Sequence, residues 1–120
     1  MRNQPKYNFF KNTSYALKGL RDLVKNESSF KLELLLFLVL LPLIFFIETT
    51  LSNKLLMFIS LMLMLIAEAA NSAIERVVDL VTLDHHEMAG RAKDVGSTVV
   101  FLSISLFVVV WVSILLDTFL

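Results

Sequence analysis

Residues 95–116 form a run of 22 residues without a single charge. About 20 apolar residues cross the roughly 30 Å hydrocarbon core of a bilayer, so this run predicts a transmembrane helix. It also decides how two shorter apolar segments are read. Residues 34–47 are apolar, with Pro42 inside, and reach back to Phe30 only by including Lys31 and Glu33. Residues 55–67 are apolar until Glu68 interrupts them. Either segment alone suits a buried helix of a water-soluble protein. In a chain of 120 residues that is 57% hydrophobic and 18% charged, too little polar sequence remains to cover such a core. Soluble domains run nearer 45–50% apolar, with about a quarter charged. The chain therefore reads as an all-α membrane protein in one membrane domain, 1–120. A surface helix is expected over about 5–26 and spans at about 28–48, 52–83 and 91–118, the second extending into the cytoplasm. No cleavable signal peptide is expected, because the first 29 residues lack an apolar segment. No internal repeat is evident.

Charge placement sets the expected orientation. Three spans put the N-terminal stretch and the 68–94 region on one side, and that side holds ten of the eleven Lys and Arg residues. By the positive-inside rule it is the cytoplasm, with the N-terminus inside and the C-terminus outside. Residues 48–54 are then the short outer loop, with Ser52 or Asn53 available to cap the second span. Net charge is zero, and nothing global suggests nucleic acid as a partner. The absence of Cys removes disulfides, Cys-ligated metals and thiol nucleophiles. In the N-terminal stretch Phe9, Thr13, Ala16, Leu20, Leu23 and Val24 share one helical face, and Lys11, Lys18, Asp22 and Lys25 lie roughly opposite. Such a helix is expected to lie in the membrane interface.

The chemistry is concentrated at the cytoplasmic end of the second span. Glu68, Asn71, Glu75 and Asp79 are spaced 3, 4 and 4, which confines them to an arc of about 80° on a helix. Ala67, Ala69, Ala70, Ser72 and Ala73 surround them. Small residues let helices approach closely in lipid, so the stripe is expected to face other helices. At about 1.5 Å per residue from Lys54, Glu68 lies about 21 Å in, Asn71 about 26 Å and Glu75 about 32 Å. The stripe begins in hydrocarbon and ends in water. An acid near a span's centre costs roughly 2.5–3.5 kcal/mol, which makes such residues functional candidates. Burial in a low dielectric disfavours a carboxylate's charge, and a Glu brought towards neutrality suits general-base work. A carboxylate nearer water can hold Mg²⁺, which takes oxygen ligands and keeps several waters. The pattern suggests chemistry on a lipid head group, with a phosphate donor approaching from the cytoplasm. A proton-conducting or other non-enzymatic membrane subunit would also explain a buried Glu68, but not the rest of the stripe.

The connection 82–94 carries Asp84, His85, His86, Arg91, Lys93 and Asp94. Lys93 and Arg91 can neutralise phosphate. Adjacent histidines point apart and no i,i+4 pair exists, so zinc is not expected. The phosphate loop with Gly-x-x-x-x-Gly-Lys-Ser/Thr is absent, as are the protein-kinase glycine loop and Asp-Phe-Gly.

Glu68-Ala-Ala-Asn71-Ser-Ala-Ile-Glu75-Arg-Val-Val-Asp79 followed by His86-Glu-Met-Ala-Gly-Arg-Ala-Lys93-Asp94 resembles the bacterial integral-membrane diacylglycerol kinase family. Lys18-Gly19-Leu20-Arg21 and Asn26-Glu27 extend the match, which covers nearly the whole chain. The resemblance implies a homotrimer in the bacterial inner membrane, with an N-terminal surface helix and active sites shared between subunits. It implies phosphorylation of diacylglycerol to phosphatidate, with ATP as donor and Mg²⁺ as cofactor. Carried over by position, Glu68 resembles the catalytic base, and Glu27 and Glu75 the carboxylates that hold Mg²⁺ with the ATP phosphates. Asn71 resembles the side chain that orients them. Tyr15, Asp84, His85, His86, Lys93 and Asp94 resemble nucleotide contacts, and Glu33 a polar residue on the lipid's path inwards. Asn8, Ala16 and Leu17 depart from the family's pattern, so no N-terminal nucleotide contact is carried to Asn8. A related branch of the family phosphorylates undecaprenol and shares the stripe. The Ala-Gly-Arg-Ala-Lys-Asp-Val-Gly96-Ser97 segment looks more like the diacylglycerol branch, and Ser97 joins the candidate substrate-side residues.

Overall fold

The computed structural model describes residues 6–120. Among them the regular elements are four helices: α1 (Phe9–Asn26), α2 (Ser28–Phe46), α3 (Leu51–Val81) and α4 (Glu87–Phe119). The last three are long and apolar enough to cross a membrane. At about 1.5 Å per residue the 33 residues of α4 match the molecule's 51 Å long dimension. Position 5, where the surface helix was expected to begin, lies outside the described residues. Residues 6–8 are not helical, because Asn8 is the α1 N-cap: its Oδ1 accepts from the Lys11 N–H at 3.1 Å. A departure from the family pattern thus has a local structural role.

The helices change over at residues with extended backbone. Glu27 (φ −114°, ψ 107°) closes α1 and opens α2, a break one residue wide. Its N–H donates to the Leu23 carbonyl at 2.9 Å, and its own carbonyl accepts from Lys31 N–H at 3.1 Å. Thr50 caps α3, its hydroxyl accepting from Asn53 N–H at 3.2 Å. This corrects the expectation of Ser52 or Asn53 as cap: both lie inside the helix, and Asn53 supplies the donor. The connection after α2 is closed by Lys54, whose ammonium donates to the Phe45 carbonyl at 3.1 Å, covering one of the carbonyls that a helix end leaves unpaired.

α3 is the central element, packing on α2 along one side and on α4 along the other. Half of its most apolar window is buried, against 11% for α2 and for α4. On α2 the buried Phe30, Phe37 and Ile44 recur every seven residues, a narrow seam. They meet Met57, Leu61 and Leu65 of α3, with Trp111 and Ile114 of α4 completing the core. The remaining apolar faces of α2 and α4 are exposed, as bilayer-facing surfaces are. Trp111 brings a polar group into this core. Its indole N–H lies 3.2 Å from both the Met57 carbonyl and Ser60 Oγ. Ser60 Oγ in turn donates to the same carbonyl at 2.9 Å. A buried donor needs such partners, and they join α4 to α3.

At Gly96 α4 comes close against α3. A Cβ there would collide with Asn71 Oδ1 and touch Ile74 Cγ2 at 3.5 Å, whereas Gly19 and Gly90 have no atom within 4 Å of that position. The absent side chain therefore lets the acidic stripe of α3 sit directly against α4.

Candidate active site

The stripe on α3 turns inwards and grades from dry to wet. Glu68 and Asn71 are each 8% exposed, Glu75 is half-buried and Asp79 is exposed. Small neighbours make this possible: Ala67 and Ser72 are buried with it, and Gly96 admits Asn71. Asn71 Nδ2 donates to Glu75 Oε1 at 3.2 Å, so the amide fixes one oxygen of that carboxylate. Asn71 Oδ1 is buried without a partner, as is Glu33 Oε2. Glu33, half-buried on α2, faces Glu68 across the α2–α3 contact. Glu27 and Glu75 are also within electrostatic reach of Glu68. Four carboxylates from α2, α3 and the α1–α2 break thus surround one region.

Arg76, next to Glu75 on α3, was not singled out in the sequence. Its Nε and Nη2 donate to Glu27 Oε1 at 3.2 and 2.9 Å, while Nη1 lies 2.8 Å from Asp22 Oδ2. The Asp22 carboxyl is held below the usual carboxylate range, first by the Arg76 hydrogen bond and then by Asn26, which donates to it at 2.6 Å. Asp22 had been expected on the outward polar face of the N-terminal helix. Instead it reaches across to α3, where the Arg76 guanidinium meets both Asp22 and Glu27. An arginine beside a buried acidic stripe was the signal that could have found this pair.

At the wet end, Lys93 Nζ pairs with Asp79 Oδ1 at 2.7 Å and is also close enough to feel Glu75. A hollow of about 290 Å³ opens here between the end of α3 and the start of α4, edged by Asp79, Asp84, His85, His86, Gly90 and Lys93. Four of the expected nucleotide contacts therefore share one hollow. His86 also caps α4, its Nδ1 accepting from Met88 N–H at 3.1 Å. Asp94 and Ser97 are exposed on α4 and do not line the hollow. Tyr15 stands on α1, with the Lys18 ammonium 5.9 Å from its ring centroid, and is likewise not in the hollow. A second, larger groove of about 640 Å³ runs beneath α1, between α2 and α3. Leu20, Leu23, Phe37 and Ile66 make it apolar, and it ends at Ser72 and Arg76 beside the stripe.

Among the described residues no three Asp, Glu or His side chains converge closely enough to cage a metal ion. A fully protein-made site is not what Mg²⁺ uses; it takes one or two carboxylates and completes its shell with water and phosphate oxygens. The donors here fit that pattern. The recorded bonds of Glu27 and Glu75 engage only Oε1 on each, leaving the second oxygens as candidate ligands.

The chain is thus a multi-pass helical membrane protein with an acid stripe running from its buried core towards a polar hollow edged by Asp79, Asp84, His85, His86 and Lys93. The prokaryotic diacylglycerol kinase model matches residues 14–115, and the chain belongs to that family of kinases. The diacylglycerol kinase of Haemophilus influenzae is 43% identical over 103 residues, covering 86% of this chain and 87% of that protein. The diacylglycerol kinase of Escherichia coli K12 is 37% identical over 109 residues, covering 91% and 89%. An undecaprenol kinase of Bacillus subtilis is 32% identical over 99 residues, covering 81% and 80%.

Proposed function

We propose that this chain phosphorylates diacylglycerol to phosphatidate at the cytoplasmic face of a bacterial inner membrane, with ATP as donor. The observation that carries the reading is the gradient along one helical edge. Glu68 is buried next in sequence to Ala69, which lines the apolar groove, and Glu75 lies two turns further on, one turn before Asp79 at the edge of the hollow. Lipid and nucleotide can reach such a site from opposite sides. The groove's volume is that of small-molecule pockets, roughly 300–1,000 Å³, and it suits an acyl chain.

In the proposed reaction Glu68 takes the proton from the lipid hydroxyl. The freed oxygen attacks the γ-phosphorus, the bond to the bridging oxygen breaks, and ADP leaves. Asn71 holds Glu75 in place, and Glu27 and Glu75 hold Mg²⁺. When bound, the ion supplies charge neutralisation at the phosphates. Lys93 exchanges its bond to Asp79 for phosphate oxygens, and Asp84, His85, His86 and Asp94 contact the nucleotide, with Tyr15 reaching it from α1. Glu33 and Ser97 border the lipid's path. Positioning and neutralisation are the main requirements of phosphoryl transfer. The chain acts as a homotrimer with shared sites, α1 lies in the interface, and the C-terminus is outside. Ten of eleven Lys and Arg on the α1 and α3–α4 side support that orientation.

The Bacillus subtilis relative supports a second substrate reading, a long polyisoprenol. Purified protein in mixed micelles, supplied with labelled ATP and each lipid in turn, separates the two. Labelled phosphatidate is expected. Undecaprenyl phosphate appearing in its place would overturn the diacylglycerol assignment.

A further inference from the structure

We propose that Arg76 is a positioning residue that fixes the Glu27 carboxylate, with Asp22 holding the guanidinium in place; this rests on the metal role proposed for Glu27. Glu27 is unusual among the site's acids in standing at a helix break, where its side chain caps neither helix. A carboxylate there is free to swing unless something holds it. Arg76 does so with two donors on a single oxygen, Nε at 3.2 Å and Nη2 at 2.9 Å from Oε1. The other oxygen is left for a ligand.

The guanidinium is itself oriented. Nη1 and Nη2 reach the two Asp22 oxygens at 2.8 and 3.4 Å. Asn26 Nδ2 then holds Asp22 Oδ1 at 2.6 Å. The order runs from Asn26 to Asp22 to Arg76 to Glu27, and Arg76 adjoins Glu75 in the chain. One planar side chain thereby ties the break-borne carboxylate to the helix that carries the other proposed ligand. A lysine presents a point charge and cannot engage both acids through a rigid fork. The side chains are 30–45% exposed, and exposed pairs add little to stability. Their geometry therefore bears on orientation more than on holding the fold together.

The test uses the full chain in mixed micelles and compares Arg76→Ala, Arg76→Lys, Asp22→Asn and Glu27→Gln. Magnesium binding to the chain with a non-hydrolysable ATP analogue and no lipid is measured by isothermal titration, magnesium activation is titrated at saturating ATP and lipid, and lipid KM is measured separately. Residues that orient a metal's ligands typically affect metal affinity or activity by 10–100-fold, so Arg76→Ala is expected to raise half-activating Mg²⁺ by about tenfold or more. Lipid KM should stay within about twofold. Arg76→Lys and Asp22→Asn should shift in the same direction by less. Arg76→Ala with a wild-type magnesium titration, while Glu27→Gln is shifted, overturns this inference alone. An unshifted Glu27→Gln overturns the metal role itself and the inference with it. Should Arg76→Ala fail to fold, Arg76→Lys and Asp22→Asn decide, and wild-type titrations in both would overturn the proposal.

Discussion

Replacing Gly96 by Ala adds one methyl where α4 meets α3, and that methyl would collide with Asn71 Oδ1. Relief has two routes. Rotating Asn71 away breaks its 3.2 Å bond to Glu75, and a hydrogen bond to a charged group is worth about 1.5–3 kcal/mol. Moving α4 off α3 is an overpacking response, which costs about 1–3 kcal/mol. Alanine returns up to about 1 kcal/mol through its helix preference, so the net loss should be about 0.5–2 kcal/mol by the first route and at most about 2 kcal/mol by the second. Turnover should fall as well, because both routes disturb Glu75. Unfolding in mixed micelles followed by circular dichroism measures the first effect, with Gly19→Ala as a reference whose added methyl meets nothing. The decisive comparison is made in an Asn71→Ala background, where the obstructing oxygen is gone. There the Gly96→Ala penalty should shrink by at least half, a coupling between touching residues. An equal penalty in both backgrounds, or none in either, would refute the close approach.

Other outcomes are equally specific. Glu68→Gln should leave the chain folded and lower turnover by about 10²–10⁴-fold, the usual contribution of a positioned base; near-normal turnover would remove Glu68 from that role. Glu75→Gln should weaken magnesium dependence, and an unchanged titration would count against its ligand role. Trp111→Phe deletes the donor to the Met57 carbonyl and Ser60, but Ser60 still donates to that carbonyl. The loss should therefore be about 0.5–1.5 kcal/mol, read as lowered resistance to unfolding. Docking of α1 should depend on acid. Asp22 has its carboxyl lowered by Arg76 and Asn26, so its contribution is complete above the ordinary Asp range and disappears as pH falls through the lowered value. Protection of the α1 amides, measured as exchange relative to the intrinsic rate at each pH, should fall modestly and only in acid, because the pair is exposed, and Asp22→Asn should flatten that limb of the profile.

The spans were legible because a bilayer imposes a length that short apolar runs cannot meet by accident. The stripe was legible because spacings of 3, 4 and 4 have only one helical reading. Its inward direction followed from Ala67, Ser72 and their small neighbours, and Glu68 and Asn71 are indeed buried. Contacts between distant segments were not legible. Asp22 and Arg76 are 54 positions apart, and helical periodicity says nothing of a partner on another helix. The α3 cap was misplaced because Thr50, Ser52 and Asn53 all suit the role by type, and only backbone geometry separates them. Gly96 was noted as a branch marker, but its physical reason, the room it leaves for Asn71, needs both helices in view.

Trp111 is the chain's single tryptophan, and it is 5% exposed with its indole nitrogen engaged by α3. Its emission therefore comes from one address, the α3–α4 seam away from the hollow that Lys93 edges. A shift to longer wavelength during heating or detergent exchange would time the parting of those two helices without any added label. The same signal staying constant while activity falls would mark damage confined to the other end of the helices, where the acidic stripe meets α1 and the α3–α4 connection.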